Sequence, residues 1–327
     1  MNYYLYRMID TLLDRSIVLG YGSVGLRVRR RLPGWPADPP RMDGAAVLVT
    51  GAASGLGLAA AIGFARLGAT VHALARNDSR AADAVAGISA VAPGGDVRAA
   101  SCDLSCLRAI RAFAERFADG EPHLSVLVNN AGVMPRERTM SPDGHELMFA
   151  THVLAPIALT TLLAGPLTRG APSRVINVSS AGMYTQPLPV RDWESERAAY
   201  SPEKVYARTK REQVELTPVM ADCLCERGVA VHAMHPGWSD TEGLRRSMPG
   251  FRAVTRPIIR TPEEGADTIV WLGAAPDPLS RTGLFWHDRR PRPTHYRLGA
   301  PPASDERRLA LWRYCEEALA AAGIPGL

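Results

Sequence analysis

Tyr206 and Lys210 stand four residues apart in a segment whose pattern predicts a helix over 203–227. At that spacing two side chains share one helix face and can converge on one site. A phenol with an ordinary pKa of about 10 is a poor acid or base at neutral pH unless a nearby cation favours its phenolate, and Lys210 can supply that cation. The chain has only one other lysine, Lys204, against 36 arginines. A lysine at this position therefore argues for a compact ammonium that can touch a phenol and a sugar hydroxyl together. The run Asn177, Val178, Ser179, Ser180, Ala181, Gly182 follows an apolar strand and sets a hydroxyl at the carboxyl edge of a sheet, where α/β ligands bind. Taken singly, the Tyr/Lys pair equally describes an exposed helix face and the serine a loop cap.

A second constellation is a glycine turn. Thr50, Gly51, Ala52, Ala53, Ser54, Gly55, Leu56, Gly57 closes one predicted strand and opens a helix. Gly51 permits a tight turn, Gly55 a close backbone approach to a pyrophosphate, and Gly57 close packing of helix on strand, with the helix N-terminus favouring the anion. At the end of the next strand the chain reads Leu74, Ala75, Arg76, Asn77, with no carboxylate before Asp78. An arginine there can pair with the 2′-phosphate of NADP, whereas an acid would accept the free ribose hydroxyl of NAD. Ser54 is not basic, so a second position that often favours NADP is missing.

These motifs need strands and helices to carry them. Apolar runs predict strands at 45–50, 70–74, 97–101, 125–129, 174–178, 229–234 and 283–286, alternating with helices that include 56–67, 105–118, 145–164, 203–227 and 262–273, with a terminal helix over 304–322. This is the pattern of an α/β, doubly wound parallel Rossmann sheet of about seven strands with helices on both faces. Thr261, Pro262, Glu263, Glu264 signals a capped helix start. Residues 1–43 read as an apolar and basic extension, 44–300 as the Rossmann domain and 301–327 as a helical tail.

With Asn129, Asn130, Ala131, Gly132 after the fourth strand and Pro236, Gly237 after the sixth, the ordered set resembles the short-chain dehydrogenase/reductase family over roughly 44–290. The resemblance implies reversible hydride transfer between a nicotinamide and a carbonyl or alcohol. It makes Tyr206 the general acid/base, Lys210 the residue that lowers its pKa and holds the nicotinamide ribose, and Ser180 the binder of the substrate oxygen. It implies a cofactor surface of Thr50, Gly51, Ser54, Gly55, Leu56, Gly57, Arg76, Asp103, Leu104, Asn130, Ala131, Gly132, Pro236, Gly237 and Thr241, besides Tyr206 and Lys210. NADP(H) is the preferred cofactor on this reading, with NAD(H) the alternative. Where the family has an asparagine, in a kinked helix that holds a water linked to the lysine, this chain has His152. That histidine reads either as a proton relay, and so as a catalytic residue, or as a packed core side chain. The second option leaves open a rival function, a cofactor-binding sensor or interaction protein weakened in turnover.

Ser180 and Tyr206 lie 26 residues apart, about twice the family spacing. The intervening Met183, Tyr184 and Trp193, with Trp238, Met248 and Phe251, suggest an apolar pocket for a lipid-, steroid- or retinoid-like substrate, although such residues equally build core. Five cysteines without a matching ligand cluster read as reduced cytosolic thiols and give no metal site. The net charge of +5 carries no nucleic-acid reader pattern, and no stretch approaches the about 20 apolar residues of a membrane span. Arginine clusters at 27–31 and 289–292 face either solvent or an anionic membrane, so peripheral membrane contact through the extension is one expectation and a homo-oligomer another.

Overall fold

The computed structural model describes residues 3–197, 199–296 and 299–327. Eight strands form one sheet: β1 (Ala46–Thr50), β2 (Thr70–Ala75), β3 (Val97–Ser101), β4 (Val126–Asn129), β5 (Ser173–Val178), β6 (Val229–Met234), β7 (Phe285–His287) and β8 (Arg290–Pro291). Their order is β3-β2-β1-β4-β5-β6-β7-β8, parallel up to β7. The chain reverses direction across the sheet between β1 and β4, so the crevice beyond their carboxyl ends is where a doubly wound sheet binds its ligand.

Helices α1 (Tyr3–Arg15), α2 (Ile17–Tyr21) and α3 (Ser23–Arg31) precede the sheet. Then come α4 (Gly55–Arg66), α5 (Asp78–Val91), α6 (Leu107–Gly120), α7 (Leu147–Phe149), α8 (Ala155–Leu162), α9 (Ala164–Arg169), α10 (Pro202–Leu224), α11 (Glu242–Ser247), α12 (Pro249–Thr255), α13 (Pro262–Ala274) and α14 (Asp305–Ala321). Strand residues alternate between two cores, as the pleat demands. Leu48, Leu127 and Val175 face α6, α8, α10 and α14, while Val47, Val49, Val128 and Ile176 face α4, α5 and α13. Both faces are therefore covered, and β1, β4, β5 and β6 are buried throughout.

Several expectations change in detail. The helix read as continuous over 145–164 is α7 and α8 joined by a π turn at Ala150–Leu154. An eighth strand exists because Asp288 and Arg289, both at positive φ, turn β7 back on itself. Aspartate adopts that conformation more readily than arginine, and Asp288 is gripped there by Arg260 (2.6 and 2.9 Å) and Arg29 (2.6 Å). The presumed tail helix α14 sinks Leu311, Trp312, Cys315 and Leu319 into the core. Packing does not stop at residue 43 either. Arg29 is 1% exposed and joins α3 to Asp10 of α1, the Gly20 carbonyl and Asp288, so the amino-terminal helices share one buried charge network with the sheet edge.

Candidate active site

A cleft of about 710 Å³ opens at the carboxyl ends of β1, β2, β4, β5 and β6. The β1–α4 turn forms one wall. Gly51 and Gly55 have positive φ, and a Cβ on Gly55 would press on Thr241 at 3.2 Å. A Cβ on Gly57 would lie 2.2 Å from the Gly51 carbonyl oxygen and 2.5 Å from Asn130 Nδ2, so the turn closes only with glycine there. Ser54 caps α4 without a side-chain hydrogen bond, leaving the helix's first N–H groups directed at the cleft and suited to a phosphate.

Thr50 is buried and does not line the cleft. Its Oγ1 donates to Val128 O (3.1 Å) and accepts from the N–H groups of Asn130 and Ala131 (both 2.9 Å), and Asn130 Nδ2 donates back to Thr50 O (2.9 Å). These bonds lock the ends of β1 and β4 together. Thr50 and Gly57 thus shape the cradle, while Gly51, Ser54, Gly55, Leu56, Asn130, Ala131 and Gly132 form its surface. Arg76, exposed, stands at the rim with Leu74 and Ala75, and Asp103 and Leu104 line the adjoining end. Asp78 is turned to Ser101 Oγ (2.5 Å) and is absent from the lining.

Ser180, Tyr206 and Lys210 meet on the opposite wall. Burial raises the Tyr206 pKa above its ordinary value, and the neighbouring Ser180 hydroxyl offsets this only in part. Burial lowers Lys210 to about 7; its Nζ donates to Val178 O (2.8 Å) and lies 5.8 Å from the centre of the Tyr206 ring. The lysine is thus held against a strand end, beside the tyrosine ring. Desolvation of both groups exceeds their mutual effect.

His152 sits in the π turn, fully buried and outside the cleft lining. Its Nε2 accepts the Val133 N–H (2.9 Å), so the ring proton is on Nδ1, which donates to Thr209 Oγ1 (2.8 Å); Thr209 in turn donates to Tyr206 O (3.0 Å). Burial and the Lys210 charge hold its pKa well below the usual value, so the ring stays neutral at physiological pH. This geometry supports the packed reading over the relay. The histidine ties the Val133 loop to the tyrosine's helix, and its ring meets the Tyr206 ring edge-on at 5.4 Å.

Pro236, Gly237, Trp238 and Thr241 line the remaining side, with Met248 from the junction of the short helices α11 and α12 and Phe251 from α12. Asp240 staples those helices, accepting forked bonds from Arg245 (2.9 and 3.0 Å) of α11 and Arg252 (2.8 and 3.1 Å) of α12. Met183, Tyr184 and Trp193 are not cleft residues. Met183 packs with Val214 and Phe285, Tyr184 donates to Pro293 O (2.7 Å), and Trp193 joins the core beneath α14, because the segment after Ser180 folds back over α10. Sequence reading missed Met134, Leu147, Thr185 and Leu244, which add apolar and hydroxyl surface where the substrate would lie. Apart from the apolar pattern of their loops, no local signal marks them. Among the described residues no group of three or more His, Cys, Asp or Glu is placed to hold a metal.

Comparison with known proteins agrees with this geometry. The family model for short chain dehydrogenase matches residues 45–249. Dehydrogenase/reductase SDR family member 12 of Bos taurus is 41% identical over 273 residues, 82% of this chain and 84% of that protein. Retinol dehydrogenase 14 of Mus musculus is 35% identical over 267 residues, 77% and 80% of the two chains. A short chain dehydrogenase from Burkholderia cenocepacia J2315, solved in complex with NADP, superposes with a TM-score of 0.61 at 25% identity, covering 75% of this chain and 96% of its own.

Proposed function

The chain belongs to the short chain dehydrogenase family, and on that premise we propose that it is an NADP(H)-preferring oxidoreductase interconverting a carbonyl and an alcohol on a hydrophobic, lipid-, steroid- or retinoid-like molecule. The observation that carries this reading is that Ser180, Tyr206 and Lys210 line the same cleft as the Gly51–Gly55 cradle. When bound there, the nicotinamide cofactor supplies or accepts the hydride.

Within that frame Tyr206 gives its phenolic proton to the substrate oxygen in reduction and takes it back in oxidation. Ser180 donates to the same oxygen and stabilises the charge that develops on it. Lys210, at about 7, can carry either charge state near neutrality, and its protonated form favours the tyrosine phenolate. Gly51, Gly55 and the start of α4 fit the pyrophosphate, and Asp103 borders the adenine end. NADP(H) preference is supported by Arg76 at the rim, by the absence of Asp78 from the lining, and by the NADP complex of the Burkholderia relative. NAD(H) is the competing cofactor.

The apolar lining from Met134, Leu147, Trp238, Met248 and Phe251 supports a hydrophobic substrate, as does the similarity to a retinol dehydrogenase. Peripheral membrane contact through the amino-terminal helices belongs to the same reading. The weakened-sensor alternative loses its main motive, since His152 sustains the loop it contacts and leaves Ser180, Tyr206 and Lys210 in place. The test is a screen of retinoid, steroid and long-chain aldehydes and ketones with NADPH and NADH. Turnover should favour NADPH and fall by about 10² or more in Tyr206→Phe with cofactor binding retained. Arg76→Ala should weaken NADPH by about tenfold or more and leave NADH unchanged. Wild-type turnover in Tyr206→Phe refutes the assigned acid/base, and equal affinities for both cofactors refute the preference.

A further inference from the structure

The first three helices carry most of the molecule's exposed large apolar side chains. Leu5, Met8, Leu12, Ile17, Val18, Leu19 and Val24 are among twelve such residues in the described chain. Leu5, Met8 and Leu12 follow the i, i+3, i+7 spacing of one helix face, and Leu12, Ile17 and Val18 are 57–60% exposed. The opposite face of α1 turns inward: Asp10 takes Arg29 and both Nη atoms of Arg292, while Asp14 accepts from the Tyr296 hydroxyl (2.6 Å). These are the only acids in residues 1–31. The outer surface is left with apolar side chains flanked by exposed Arg15, Arg27 and Arg31.

We propose that this face docks on an anionic bilayer surface, with α1 and α2 lying in the headgroup region. An apolar stripe bordered by arginines and free of exposed carboxylates is the signature of an interfacial helix. No described helix is long and apolar enough to span a membrane. A second copy of the chain is a poorer occupant, because pairing two such faces would bring Arg15, Arg27 and Arg31 against their own counterparts.

The position of the face adds a reason. Ser23 N–H donates to Ile258 O (2.7 Å), just beyond α12, and Trp238 N–H donates to Tyr21 O (2.8 Å). Trp238 packs edge-on to Phe251 of α12 at 5.1 Å, both in the cleft wall, and Val254 of the same helix is 82% exposed. The docking face therefore adjoins the covering of the cleft, so a lipid-soluble substrate can enter from the bilayer. Docking itself does not depend on the proposed reaction.

The experiment is sedimentation of the full chain with phosphatidylcholine vesicles, with and without about 30% phosphatidylserine. Binding should appear with phosphatidylserine and weaken with salt. Leu12→Glu with Val18→Glu should lower vesicle affinity more than tenfold, and Arg15→Gln, Arg27→Gln and Arg31→Gln about fivefold each. Cofactor titration and Tm, both read without turnover, should stay at wild-type values. Failure to bind phosphatidylserine vesicles, or binding indifferent to both sets of substitutions, overturns the proposal. So does a dimer in light scattering that the Leu12/Val18 pair dissociates, which would assign the face to a second copy. The arginine set alone decides the matter if the glutamate pair does not fold.

Discussion

His152→Leu removes the acceptor of the Val133 N–H and the donor to Thr209 while keeping side-chain volume nearly constant. An amide left without a partner costs about 1–3 kcal/mol, and the lost bond to Thr209 about 1 kcal/mol more, so the variant should be about 2–4 kcal/mol less stable. For a chain of 327 residues the entropy of unfolding converts this to a fall of about 3–6 °C in Tm. Because the Val133 loop lines the cleft, cofactor affinity should fall as well, whereas His152→Asn, which can still accept from Val133, should recover part of both losses. The discriminating assay is the pH dependence of kcat. His152 is neutral over the working range, so any step near pH 7 belongs to Lys210 and should persist in His152→Asn. If that step is present in the wild type and vanishes in His152→Asn, the ring is a titrating relay and the hydrogen-bond argument fails. An unchanged Tm in His152→Leu would equally refute the assigned bonds.

Gly57→Ala should reduce NADPH affinity by about tenfold or more, since the new methyl meets the Gly51 carbonyl and the helix must move away from the cradle; fluorescence titration at unchanged affinity would show that the turn tolerates it. Asp240→Ala should free α11 and α12, raising KM for a bulky substrate several-fold and speeding proteolysis within 240–256. The Asp240 carboxyl is held far below its ordinary value by Arg252 and Arg245, so its contribution is complete above the usual carboxylate pKa of about 4 and is lost only as pH falls below it. Wild-type proteolysis in that segment should accordingly accelerate only under such acid conditions, and acceleration at neutral pH would contradict the staple.

Much of the site was legible because its signals are local. The glycine turn, the Tyr206/Lys210 spacing and Ser180 after an apolar strand each depend on residues a few positions apart, and the alternation of buried strands with amphipathic helices places all three at one sheet edge. The family resemblance adds roles to residues already singled out, and it covers the segment that builds this edge.

Only the tertiary structure could decide matters that depend on residues far apart in the chain. Met183, Tyr184 and Trp193 are apolar residues near Ser180 in sequence, and nothing in their types tells a cleft wall from a core; the fold of 181–193 over α10 turns them away from the cleft, Met183 and Trp193 into the core and Tyr184 against it. His152 is equally suited to relay or packing until Val133 and Thr209, 19 and 57 residues away, are seen to occupy both ring nitrogens. The first 43 residues look separable because they end in a proline-rich stretch at Pro33, Pro36, Pro39 and Pro40, yet Arg29 finds Asp288 across 259 positions. Local pattern fixes which backbone conformations are cheap and which faces are apolar. Burial, and with it the pKa of Lys210, the tautomer of His152 and the inward turn of Asp10 and Asp14, depends on what packs against each group, which the chain settles only on folding.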